Sequence, residues 1–217
     1  MKIALIGYGK MGHAIEHIAI CRGHEIVCRI DAHNLKGFDS EAFASADVAI
    51  EFSTPATAVD NIIRAWSRGV KVVSGTTGWL NRRDEMIETC RKTGATLLWS
   101  SNFSLGVNLF FALNRYLASL MAGTTAYKPS LTETHHIHKL DHPSGTAITL
   151  AEGIIDRDPN VDGWSEDAVG SDRLIHVTAL REGEVPGTHT VVWNSDVDEI
   201  TITHRAKSRD GFALGAV

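Results

Sequence analysis

Residues 133–147 read Glu133-Thr134-His135-His136-Ile137-His138-Lys139-Leu140-Asp141-His142-Pro143-Ser144-Gly145-Thr146-Ala147, which gathers proton-transfer and anion-binding groups in one short stretch. Imidazole exchanges protons near neutral pH, and an ammonium both donates a proton and neutralises an anion. On an extended strand His135 and Lys139 share one face, with Ile137 between them. Pro143-Ser144-Gly145-Thr146 opens a helix whose N–H groups, with two hydroxyls, form a carboxylate cradle. Two other readings stand beside acid–base chemistry. One is a zinc site, against which neighbouring strand histidines point to opposite faces and no cysteine is near. The other is a set of histidines on a solvated strand.

A second constellation lies at the start of the chain. Gly7-Tyr8-Gly9-Lys10-Met11-Gly12 fits G-x-G-x-x-G between an apolar run and a helical stretch, the context that dinucleotide binding requires. Gly7 permits the tight turn, Gly9 lets backbone approach a pyrophosphate, and Gly12 lets helix and strand pack closely. Asp31 ends the next strand at the offset of a ribose-binding carboxylate. It favours NADH over NADPH, since a carboxylate repels a 2′-phosphate, and His33 and Lys36 nearby soften that preference. A hydride donor together with a proton donor, a cation and an anion cradle implies reduction of a polarised C=N or C=C bond in an anionic substrate. Two alternatives of other kinds remain: a nucleotide-sensing regulator with no chemistry, and another imine-directed dehydrogenase.

These groups need a scaffold. Strands are expected at 2–6, 25–30, 48–52, 70–74 and 96–99, alternating with helices at 11–22, 56–68 and 80–93; 32–46 reads as a loop with a short helix. That alternation implies a parallel sheet with right-handed crossovers. Loops after the third, fourth and fifth strands converge at its carboxyl edge: Phe52-Ser53-Thr54, Gly75-Thr76-Thr77-Gly78 and Ser100-Ser101-Asn102-Phe103. Beyond residue 104 the pattern changes. An amphipathic stretch at 105–121 carries Leu109, Leu113, Tyr116 and Leu120 at helical spacing. Extended segments follow at 130–138, 173–181, 188–193 and 199–204, with a helix at 146–155 and then a polar loop. The expected class is α/β: a Rossmann-like parallel-sheet nucleotide domain over 1–104, plus a smaller α+β domain with a mixed open sheet over 105–205.

Composition sets outer bounds. The chain has 217 residues, 43% hydrophobic and 22% charged, which excludes a disordered acidic or basic chain. Net charge −5 gives no basic footprint for nucleic acid. No run of about 18 apolar residues exists, so no membrane partner is expected. The opening apolar run is too short for a signal peptide, and Cys21, Cys28 and Cys90 lack metal spacing, so a cytoplasmic protein with reduced thiols is expected.

The glycine turn, Gly75-Thr76-Thr77-Gly78, Asn102-Phe103-Ser104-Leu105-Gly106-Val107-Asn108 and the stretch from Glu133 to Ala147 together resemble the 4-hydroxy-tetrahydrodipicolinate reductase (dihydrodipicolinate reductase) family of lysine and diaminopimelate biosynthesis. The resemblance runs in order through Arg205-Ala206-Lys207-Ser208-Arg209-Asp210-Gly211-Phe212-Ala213. It implies that His135 is the proton donor/acceptor and Lys139 the proton donor. Thr77, His136, Lys139, Ser144, Gly145 and Thr146 would hold a small dicarboxylate substrate. Gly7, Tyr8, Gly9, Lys10, Met11, Gly12, Asp31, Phe52, Gly75, Thr76, Thr77, Ser100, Ser101, Asn102 and Phe103 would hold NADH or NADPH. It further implies no metal, a homotetramer formed through the second domain's sheet, and a return of 206–217 to the first domain as the start of a closing helix. The segment from Asp31 to Val48 is shorter than in many members, which makes the first domain compact.

Overall fold

The computed structural model describes all 217 residues. The first sheet starts with β1 (Lys2–Ile6), whose apolar residues Ile3, Ala4, Leu5 and Ile6 are buried on both faces. Its side chains alternate as a strand's must: Ala4 and Ile6 enter one core, Ile3 and Leu5 the other. After α1 (Lys10–Cys21) come β2 (Glu25–Ile30), α2 (Glu41–Ala44), β3 (Val48–Glu51), α3 (Ala58–Ser67), β4 (Lys71–Ser74), α4 (Arg83–Thr93) and β5 (Leu97–Trp99). The five strands are parallel, in the order β2-β1-β3-β4-β5. Ile62 of α3 and Met86 of α4 belong to the core on one face. Ile15 and Ala19 of α1, with Ala213 and Ala216 of α7 (Asp210–Ala216), belong to the core on the other. Each fully buried isoleucine or leucine contributes ~2 kcal/mol of transfer free energy. Strand order reverses direction between β1 and β3, the switch point where open α/β sheets bind ligands.

Contacts divide the chain into two compact units: Met1–Ser104 with Arg209–Val217, and Leu105–Ser208. The second unit contains α5 (Leu105–Met121), β6 (Lys128–His135), α6 (Gly145–Ile155), β7 (Gly163–Ser165), β8 (Leu174–Arg181), β9 (Thr188–Asn194) and β10 (Glu199–Arg205). Its sheet is mixed, in the order β10-β9-β6-β8-β7; β6, β7 and β8 run parallel, while β9 is antiparallel to both β6 and β10. Buried Asn114 of α5 donates to the Leu150 carbonyl of α6 at 2.9 Å, joining the two helices.

Three expectations are corrected here. The polar loop after α6 contains β7, whose three residues pair with Leu174–His176 and are too few to show a period. The Leu109, Leu113, Tyr116 and Leu120 stripe of α5 is exposed, and the buried face is instead Val107, Phe110, Phe111, Asn114, Ala118 and Met121. The extended segment expected over 130–138 stops at His135; Ile137 and His138 form a turn, so Lys139 shares no strand face with His135.

Candidate active site

At the switch point the turn after β1 meets the loop after β3. Gly7 has φ +90°, and a Cβ there would fall 2.0 Å from the Phe52 carbonyl oxygen, so only glycine allows the approach. A Cβ at Gly12 would fall 2.4 Å from the Gly7 oxygen, whereas nothing lies within 4 Å of one at Gly9. The closed side packs strand on helix, and the open side faces a cleft of about 380 Å³ lined by Gly9, Lys10, Met11, Phe52, Ser53, Pro55, Gly75, Thr76 and Thr77. Helix α1 begins at this cleft, with Gly9 as its N-cap. Its first-turn amides, which lack acceptors inside the helix, suit a phosphate.

Beneath the cleft lies Glu51, a fully buried carboxylate that the sequence reading missed. Its Oε1 accepts from the Ser53 amide (2.9 Å), the Ser53 hydroxyl (2.5 Å) and the Thr76 hydroxyl (2.8 Å); its Oε2 accepts from the Ser74 hydroxyl (2.5 Å). One carboxylate therefore fixes the loops after β3 and β4 to each other. The Thr76 carbonyl is pinned as well, accepting from the Trp79 and Trp99 indoles at 2.8 and 2.9 Å. A charged residue closing the apolar run Val48-Ala49-Ile50 is the signal for Glu51, because a buried carboxylate needs partners.

Asp31 and residues 100–103 are not among the residues lining this cleft. Asp31 Oδ1 accepts from the His33 and Asn34 amides at 2.7 and 3.1 Å and shapes the turn after β2. Ser100 donates to the Asn102 carbonyl at 2.8 Å, and the Phe103 ring sits 6.1 Å from that of Phe52.

In the second unit the helix-covered face of the sheet turns from apolar to polar along its length. On β6, Leu131 gives way to Glu133 and His135; on β9, Trp193 and Val191 give way to His189; on β8, Ile175 and Val177 precede Arg181. The register pairs Glu133 with His189 and His135 with Arg181, so four polar residues from three strands meet at one end. Glu133 Oε2 bonds His135 Nδ1. Its Oε1 accepts from Arg181 at 3.0 Å and from the Ser144 amide at 3.3 Å. Burial pushes the Glu133 carboxyl up, but His135 and Arg181 outweigh burial and hold it at about 2. Burial, followed by the neighbouring His135 charge, lowers His189 to about 3, so it is neutral at pH 7.

Ser144 caps α6, accepting from the Ala147 amide at 3.2 Å, and its hydroxyl lies 3.2 Å from His189 Nε2. Gly145 and Thr146 form the first turn of that helix. Lys139 Nζ is held by both oxygens of Asp141, at 2.7 and 2.8 Å. The His136 ring lies 6.0 Å from that of His138. Glu133, His135 and His189 bring three metal-type ligand atoms within 4.8 Å of one another. The carboxylate of this trio already faces the fixed Arg181 guanidinium, so a dication there would meet a like charge. Glu133, Arg181 and His189 were missed because strand register, which sequence spacing does not show, brings them to His135.

Comparison with known proteins places this geometry. Residues 1–103 match the family model for the dihydrodipicolinate reductase N-terminus, and residues 106–217 that for its C-terminus. The chain is 48% identical to a 4-hydroxy-tetrahydrodipicolinate reductase of Christiangramia forsetii, over 100% of this chain and 90% of the relative. It is 34% identical to the enzyme of that name from Archaeoglobus fulgidus, over 100% and 91%. A dipicolinate-bound dihydrodipicolinate reductase from Paenisporosarcina sp. shares the fold at a TM-score of 0.70 and 22% identity, covering 99% of this chain and 91% of that one. With both of its halves matched in order, the chain belongs to the dihydrodipicolinate reductase family.

Proposed function

We propose that this chain is an NAD(P)H-dependent reductase that converts 4-hydroxy-tetrahydrodipicolinate to tetrahydrodipicolinate in lysine and diaminopimelate biosynthesis. The observation that carries the reading is the polar end of the second sheet. There His135 sits in a hydrogen-bonded cluster that also holds Ser144, the cap of α6, with Lys139 in the loop between. The first unit holds the cofactor and the second holds the substrate.

A nicotinamide bound in the first unit supplies the hydride. Gly7–Gly12 and the start of α1 take its pyrophosphate, Phe52 and Gly75–Thr77 line its path, and Asp31 takes a ribose hydroxyl, which favours NADH. Ser100–Phe103 complete the set. The substrate's carboxylates are met by Lys139, by the α6 end at Ser144, Gly145 and Thr146, and by His136. The 4-hydroxyl leaves as water together with a hydrogen of the adjacent ring carbon, which leaves a conjugated, electron-poor ring; hydride then adds at the carbon that carried the hydroxyl, and one proton, delivered by the His135 and Lys139 pair, goes to the neighbouring carbon. Fixed cations and amides suit a dianion in spite of the chain's net negative charge.

Thr178, Thr132, Thr190 and Thr203 face one another across four paired strands, on the sheet face opposite Glu133 and His135. This β-branched row supports assembly as a homotetramer through that face. The three cysteines are free, which supports a reducing, cytoplasmic setting. No helix is long and apolar enough to cross a membrane. The test is a coupled assay with freshly generated 4-hydroxy-tetrahydrodipicolinate. Substrate-dependent oxidation of NADH or NADPH is expected; folded protein that oxidises neither rejects the proposal.

A further inference from the structure

A carboxylate buried on the face that β6 shares with Leu131, Val177 and Val191 calls for an account. Replacing such an ion pair by apolar residues is often neutral or stabilising, so stability alone does not explain it. Glu133 is fully buried, and both of its oxygens are engaged: Oε2 by His135 Nδ1, Oε1 by Arg181 and the Ser144 amide. Arg181 is itself fixed, donating to the Leu180 and Asp141 carbonyls at 2.7 Å each. A carboxylate only accepts, so the ring nitrogen facing it carries a proton. The other ring nitrogen, Nε2, lies against the backbone of Gly187. A Cβ at Gly187 would fall 2.9 Å from Nε2, and φ there is +150°. Glycine at 187 thus keeps that edge of the ring clear of side chain.

We propose that Glu133, clamped by Arg181, is the positioning residue for His135: it fixes the Nδ1–H tautomer and leaves Nε2 as the ring nitrogen that exchanges a proton with substrate. The guanidinium never loses its charge, so it keeps Glu133 ionised and stops the carboxylate from taking the Nδ1 proton. The carboxyl held at about 2 agrees with this role. The other titratable ring against it is His189 from β9, edge-on at 5.1 Å between centroids; Lys139, in the loop after β6, acts on His189 by its charge and bonds Asp141. His189 is neutral at working pH, and Lys139 is paired with Asp141, which leaves Glu133 and Arg181 as the principal opposed charges at the imidazole. In a nucleophile–histidine–carboxylate arrangement, loss of the correct tautomer costs up to about 10⁴ in kcat.

The inference rests on His135 being the proton donor/acceptor, and its test separates the two claims. Imidazole ¹⁵N NMR of the full chain without substrate reads the tautomer directly; Nδ1–H at His135 is expected, and Nε2–H with a bare Nδ1 overturns the proposal. In steady-state assays Glu133→Gln should lower kcat about tenfold or more and leave the cofactor KM unchanged. It should also move the basic limb of the kcat profile to lower pH, and Glu133→Asp should recover part of the loss. Arg181→Met, which frees the carboxylate of its clamp, should move the same limb to higher pH. Opposite shifts are not produced by a merely structural pair. Unchanged profiles in both variants, with only the melting temperature lowered, overturn the proposal. If Glu133→Gln does not fold, the Arg181→Met shift and the wild-type NMR decide. Absence of turnover by wild-type protein counts against the function and leaves the tautomer measurement standing.

Discussion

His189 offers a quantitative test of the buried polar end of the second sheet. Its folded pKa is about 3 against an ordinary 6.5, because burial and the neighbouring His135 charge disfavour imidazolium. Between pH 3 and 6.5 the unfolded chain therefore binds a proton that the folded chain refuses, and stability falls as pH falls through that window. Integrating from pH 7 to pH 5 gives a loss of about 2 kcal/mol from this one residue. Glutamine is similar in size, does not titrate and can still donate to Ser144. Wild type and His189→Gln are compared by urea unfolding at pH 7 and pH 5. The variant should lose about 2 kcal/mol less than wild type over that interval, or roughly 4–8 °C less in melting temperature. Equal acid losses in the two proteins would show that His189 is not held neutral and would refute the reasoning, whatever the variant's stability at pH 7.

Three further outcomes are expected. Lys139→Ala should cut turnover at least a hundredfold and raise the substrate KM while leaving NADH affinity, read by fluorescence titration, within twofold; a fall in cofactor affinity would misplace Lys139. Glu51→Gln swaps one acceptor of hydroxyl protons for an amide donor, so cofactor affinity should fall about tenfold in the same titration, with the substrate KM less affected; unchanged cofactor affinity would show that the Ser53 and Thr76 loops need no clamp. Asp31→Ser removes the charge that repels a 2′-phosphate and should move the NADPH/NADH ratio of kcat/KM about tenfold toward NADPH; no movement would show that Asp31 only shapes its turn.

The two-part architecture is readable from the sequence because apolar runs such as Ile3–Ile6 end at glycine, and because α5 holds one helical period from Leu105 to Met121. Which stripe of α5 is buried is not readable: both Leu109–Leu113–Tyr116–Leu120 and Val107–Phe110–Phe111–Ala118 are apolar, and only packing on α6 and the sheet chooses. The glycine turn, His135 and the Ser144 cap stand out because their chemistry is local. Glu133, Arg181 and His189 do not, since β6, β8 and β9 contribute one strand each and pairing register decides what meets. A trace of them exists in the period of two, as Leu131-x-Glu133-x-His135 and His189-x-Val191-x-Trp193 each change from apolar to polar on one face. Nothing local in the sequence marks the end of β6, so spacing alone puts Lys139 on that strand; the chain leaves the sheet where Glu182 N bonds the His135 carbonyl at 2.7 Å and Ile137 N bonds the Gly183 carbonyl at 3.1 Å.

Hydride delivery to the substrate is tested most directly with reduced nicotinamide deuterated at its transferable position. The protein is given freshly generated 4-hydroxy-tetrahydrodipicolinate and the labelled cofactor, and the product is read by mass spectrometry. Tetrahydrodipicolinate carrying one deuterium is the expected result; unlabelled product, or none from folded protein that binds the cofactor, would contradict the proposed function.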